Sequence, residues 1–122
     1  MNEKEIEIMK KYKAFIHPEK SIQQSLMAFG FECDEGWYLI LKNLFEAISK
    51  LNPPSDFEIF QVKEKFGGLR VYTNSSTKEI EALIDKAEEE SFNTCEVCGA
   101  SAKPSTRGGW VKTICENCLK EI

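Results

Sequence analysis

The sequence is poor in the groups from which most active sites are assembled. It has one histidine among 122 residues. A nucleophile–histidine pair would have to use His17, which precedes Pro18 with no serine or cysteine motif beside it. Nucleases of the HNH type need catalytic histidines in a zinc-bearing module, and the C-terminal part has none. The H-x-E and P-C-x-x-C patterns of zinc deaminases are missing. So is the G-x-x-x-x-G-K-[ST] loop that cradles nucleotide phosphates; Gly67-Gly68 lacks that context. These absences predict a protein that is not an enzyme.

Long apolar runs are missing too. No stretch approaches the roughly 18 uninterrupted apolar residues of a membrane-spanning helix. The start, "MNEKEIEIMKKYKAFI", mixes acids and bases and has no apolar centre of a signal peptide. The expected location is the cytoplasm, with no membrane partner. A basic excess is also absent. Formal net charge is −4: residues 1–94 carry 12 basic against 17 acidic side chains, and residues 95–122 carry 4 against 3. That balance argues against broad electrostatic attraction to nucleic acid. Glu88-Glu89-Glu90 reads as a solvated helix face.

Hydrophobic residues make up 42% of the chain, enough for a core. Apolar spacing predicts a helix over about 2–16, with Ile6, Met9, Tyr12 and Ile16 on one stripe. A second helix is expected over 18–29, opened by Pro18, closed by Gly30, with Ile22, Leu26 and Phe29 inward. Asp34 is the expected N-cap of a central helix over 35–51, which "NPPS" ends. The run "FEIFQVKEKFGGLRVYTN" reads as a hairpin over 57–74 turning on Gly67-Gly68. That register sets Phe66 against Leu69, Glu64 against Val71 and Val62 against Thr73, with Phe60 on the same face. Lys65 then meets Arg70, Lys63 meets Tyr72, and Gln61 meets Asn74. Ser76 and Glu79 have capping-box spacing for a last body helix over 77–92. The expected fold is α+β: helices packed on a β-hairpin or small antiparallel sheet in residues 1–92, followed by a zinc-finger module in 93–122.

Four of the five cysteines stand as Cys95, Cys98, Cys115 and Cys118, two CxxC pairs sixteen residues apart. Two residues between cysteines let a tight turn aim both sulfurs at one point, and tetrahedral Zn²⁺ takes two such pairs. In the cytoplasm disulfides are rare, and a thioredoxin-like redox site would have one pair within a βαβ unit. One structural Zn²⁺ is therefore the expected cofactor. With four thiolates bound it has no open position for water, so it holds the tail together and performs no reaction. Gly99 after the first pair, a turn at Gly108-Gly109, a strand over Trp110–Ile114 and a short helix in "CENCLKEI" describe a treble-clef-like finger. Cys33 is left unpaired and reads as a small buried hydrophobe.

Lys63, Lys65, Arg70 and Tyr72 share one hairpin face with Gln61. Like charges directly opposite each other are destabilising unless an anion or a carboxylate lies between them. The face therefore reads either as an outer sheet surface neutralised by a neighbouring helix or as a docking strip. Lys103, Arg107, Trp110 and Lys112 form a smaller basic-aromatic group in the tail.

The segments "GWYLILKNL", "QVKEKFGGLRVYTN" and "CEVCG…GGWVKTIC", in that order over residues 36–118, resemble a family of small phage- and prophage-encoded proteins with a C-terminal zinc finger. The resemblance implies an accessory protein acting by binding a host or phage protein, including host defence factors. A second likeness, to the DksA/TraR group, which joins a helix to a four-cysteine finger, implies RNA polymerase as one partner choice. The alternative function is nucleic-acid binding through the basic-aromatic hairpin face.

Overall fold

A computed structural model describes residues 1–120, with the backbone alone at Arg107; the last two residues of the expected finger lie outside the described residues. The fold is α+β. Its elements run α1 (Glu3–Lys11), a 3₁₀ turn (Met27–Phe29), β1 (Phe31–Glu32), a 3₁₀ turn (Glu35–Trp37), α2 (Tyr38–Lys50), β2 (Glu58–Lys65), β3 (Gly68–Asn74), α3 (Lys78–Ser91), β4 (Pro104–Arg107), β5 (Trp110–Thr113) and α4 (Glu116–Lys120). No described helix is long and apolar enough to cross a membrane.

Helix α1 starts at a capping box. The Asn2 side chain accepts from the Glu5 backbone N–H, and the Glu5 carboxylate accepts from the Asn2 N–H. The helix stops at Lys11, five residues before the apolar stripe does. Beyond it Phe15 offers its carbonyl to the Ile59 N–H (2.9 Å), and Ile16 bridges Ile59. A strand supplies the backbone bonds that another helical turn would have supplied.

The expected helix over 18–29 does not form. Residues in this stretch make turns, and the Leu26 N–H donates to the Phe60 carbonyl (2.7 Å). Ile22 and Phe29, expected inward, are 57% and 58% exposed, while Met27 is buried. A short segment gains little from helix formation by itself, and pairing with β2 takes over. Strand β1 lies parallel to β2, Phe31 beside Val62 and Glu32 beside Lys63. The three-stranded sheet, in order β1-β2-β3, is thus mixed rather than wholly antiparallel.

The hairpin turns two residues' worth of register away from the expectation. Lys65 pairs with Gly68, Glu64 with Leu69, Lys63 with Arg70, Val62 with Val71 and Gln61 with Tyr72. The two turn residues are Phe66 and Gly67, both at positive φ (54° and 82°), as a two-residue turn of the right twist demands. Gly68 serves a different need: a Cβ there would lie 2.5 Å from the Phe92 ring. A shift of two keeps each side chain on its face, because strand side chains alternate with period two. The exception is Phe60. An irregularity between Ile59 and Gln61 lets Ile59 take the core position, and the Phe60 ring turns to Tyr72 on the other face, 6.3 Å between centroids.

The core lies between α2, α3 and the inner sheet face: Trp37, Leu41, Phe45 and Ile48 against Ile59, Val62, Leu69, Ile80 and Ile84. Helix α3 is capped by the Thr77 side chain on the Ile80 N–H (3.2 Å), one residue beyond the expected Ser76.

Candidate metal centre

Two separate local structures bring the sulfurs together. Residues 95–99 form a tight turn, the Gly99 N–H donating to the Cys95 carbonyl (2.9 Å), with Gly99 at φ 84° where a side chain would be strained. Strands β4 and β5 pair antiparallel, turning on Gly108 and Gly109. They deliver Cys115 at the end of β5 and Cys118 on α4. The four sulfurs all lie within 4.8 Å of one another. Cys98 and Cys115 are 3.6 Å apart, sulfur to sulfur. A disulfide would hold them at about 2.05 Å. Four thiolates at about 2.3 Å from one tetrahedral ion stand about 3.8 Å apart. The donor set fits a metal ion.

The electrostatics agree. Burial pushes the Cys95 thiol up, but hydrogen bonds from the Cys115, Cys98 and Val97 backbone outweigh it and bring it down to about 6. The crowded Cys115 and Cys98 sulfurs push Cys118 up, with burial adding to it. Four thiolates gathered in this space would repel one another, and a bound divalent cation would offset that charge.

The cage is anchored to the body. The Gly36 N–H donates to the Glu96 carbonyl (2.7 Å), the Asp34 N–H to the Glu96 carboxylate (3.0 Å), and the Trp37 indole N–H to the Thr94 carbonyl (2.8 Å). On the other side the Thr113 hydroxyl donates to the Gly67 carbonyl (2.7 Å) at the hairpin turn. Glu96 is buried, which raises its pKa; its nearest cation, Lys112, sits 3.6 Å away and 3.0 Å from Glu64.

The residues expected to form binding strips part company. Lys112 is a strut between tail and hairpin, paired with two carboxylates. Arg70 lies opposite Lys63 rather than Lys65 and pairs with Glu88 of α3 at 3.1 Å. Lys103 donates to Asn93. The side chain of Arg107 lies outside the described residues. Lys63 stands over the Tyr72 ring (5.8 Å) and Lys65 over the Phe66 ring (5.6 Å). Trp110 projects from the β4–β5 turn, 74% exposed. Phe66, expected on the apolar face, is 67% exposed at the hairpin tip. The signal lay in "FGG": either glycine could fill the second turn position, and the choice decides where the phenylalanine goes. Cys33 is half-buried, and burial and the carboxylate of Glu96 push its thiol up, away from the reactive thiolate.

A concavity of about 740 Å³ runs between α1, the start of α2 and the first cysteine turn. Ile8, Tyr12, Tyr38, Leu39 and Val97 give it apolar walls, and Lys4, Lys11, Lys42, Glu7 and Glu35 its charged rim. No family model matches the chain, no curated protein matches its sequence, and no solved structure matches it.

Proposed function

We propose that this chain is a small phage-type accessory protein, stabilised by one structural Zn²⁺ in a treble-clef-like finger, that acts by binding a host or phage protein and catalyses nothing. Cys95, Cys98, Cys115 and Cys118 would hold the ion. Bound there, it supplies the charge and cross-link that a short tail with little core of its own lacks. The observation that carries this reading is the closed set of four sulfurs, tied by backbone hydrogen bonds to the body's central helix region. Four protein ligands leave no position for a substrate or an activated water.

The groove beside the first cysteine turn suits a partner. Leu39 is 66% exposed on a helix whose other apolar side chains are inside, and it shares the groove wall with Val97. An apolar groove with a rim of mixed charge fits an amphipathic segment of a host defence or transcription factor. Two measurements test the proposal. Elemental analysis of the reduced protein should find one zinc per chain; protein without metal sinks the structural half. Affinity capture from host extract should retain one defined protein that a Leu39→Asp variant releases, and capture of nothing above background sinks the binding half.

A further inference from the structure

The outer face of the hairpin and the tip beside it hold a second surface, sharing no residue with the groove. Phe66 and Trp110 stand at the tips of two different hairpins and face one cleft of about 300 Å³, with Lys65 at its rim and Val111 and Gly109 in its wall. The two tips are held together by Thr113 on Gly67 and by Lys112 on Glu64. Further along the same face come Lys63, then Tyr72 and Phe60 with their rings together. Among the described residues neither Lys63 nor Lys65 has an ion-pair partner. Glu64, the acid of the cleft, is already paired with Lys112.

Phe66 is an unusual choice for its place. The first position of this turn requires positive φ, which asparagine, aspartate and glycine adopt readily and a bulky side chain resists. An aromatic ring held there, mostly in solvent, contributes little to the core. Strain kept at an exposed position points to use of the side chain.

We propose that this face binds single-stranded nucleic acid. One base slots between the Phe66 and Trp110 rings, the backbone runs past Lys65 and Lys63, and a neighbouring base rests against Tyr72. Aromatic faces alternating with unpaired cations are what a sequence-tolerant single-strand site requires, since every base has a stackable face and every step a phosphate. The acidic body keeps the attraction local, which excludes broad binding to duplex.

The test uses the zinc-loaded full chain. Trp37 is buried, so stacking on Trp110 should quench the solvent-exposed part of the tryptophan emission. Titration with a dodecamer of dT, and separately of U, should give saturable quenching at low salt; the two arms tell DNA from RNA. With two lysines on phosphate, the log–log salt slope should be about −1.4. Phe66→Asn, which suits the turn, and Trp110→Ala should each weaken binding about tenfold or more. Lys63→Gln with Lys65→Gln should flatten the salt slope. Ile22→Ser, an exposed apolar site elsewhere, should change nothing. The proposal is overturned by absent quenching and absent mobility shift with both dodecamers. It is equally overturned by binding that survives Phe66→Asn and Trp110→Ala, or by duplex of the same length binding as well as single strands.

Discussion

Replacing Gly36 by alanine sets local preference against tertiary packing, and the two disagree in sign. Gly36 sits inside a 3₁₀ turn and has no positive φ. By helical propensity alone, alanine would stabilise by up to about 1 kcal/mol. The packing says otherwise. A Cβ on Gly36 would lie 2.2 Å from the Cys95 carbonyl oxygen and 2.4 Å from that of Glu96. Both are backbone atoms of the first cysteine turn, so no side chain can swing aside. Ordinary contact begins near 3.4 Å, and the turn would have to withdraw by about 1 Å. Overpacking of this kind costs about 1–3 kcal/mol. Withdrawal also stretches the bonds from Gly36, Asp34 and Trp37 to residues 94–96, each worth about 1 kcal/mol. The expected net loss is about 3 kcal/mol, read as a lower urea midpoint for the metal-loaded protein, with Trp37 emission as the probe. The four cysteines are untouched, so the variant should still take up metal, but more weakly in competition with a chelator. A stability within about 0.5 kcal/mol of the wild type, or above it, would refute the idea that the tail is seated on Gly36.

Phe66→Asn should act in the opposite direction. The ring is largely exposed and the left-handed conformation costs a bulky residue about 1–2 kcal/mol, so asparagine should raise stability by about 1 kcal/mol in the same denaturation assay; a loss would show that the ring supports the fold. Tyr12 should ionise well above the usual tyrosine range. Burial and its hydrogen bond to Glu46 (2.8 Å) push its phenol up to about 12. A raised folded pKa gives stability that is complete below the unfolded value near 10 and lost as pH climbs through about 12. Ultraviolet difference absorbance should therefore show a late tyrosinate step that Tyr12→Phe removes, and a step near pH 10 for that residue would contradict the burial argument.

Several features followed from residues close together in the chain. Two CxxC pairs bring sulfurs to a point through tight turns, whatever surrounds them. The apolar spacing from Trp37 to Ile48 marks one buried helix, and NPPS follows its end. A glycine pair between β-rich runs marks a hairpin. Each rests on sterics acting over a few residues, which is why the sequence could specify the metal cage and the α+β class.

The rest awaited contacts between distant residues. Whether 18–29 coils into a helix depended on Phe60, which offers its carbonyl to Leu26 from across the fold. The hairpin turn falls on Phe66-Gly67, and Gly68 instead stands where a Cβ would meet the Phe92 ring. Arg70 and Lys112, equal to Lys63 and Lys65 on the page of residues, were neutralised by Glu88, Glu64 and Glu96. Alternation along a strand assigns a side chain to a face, but only the closed tertiary structure decides which carboxylate reaches it. The sequence therefore determined what could hold the ion, and the packing decided which cations and rings were left free to meet anything else.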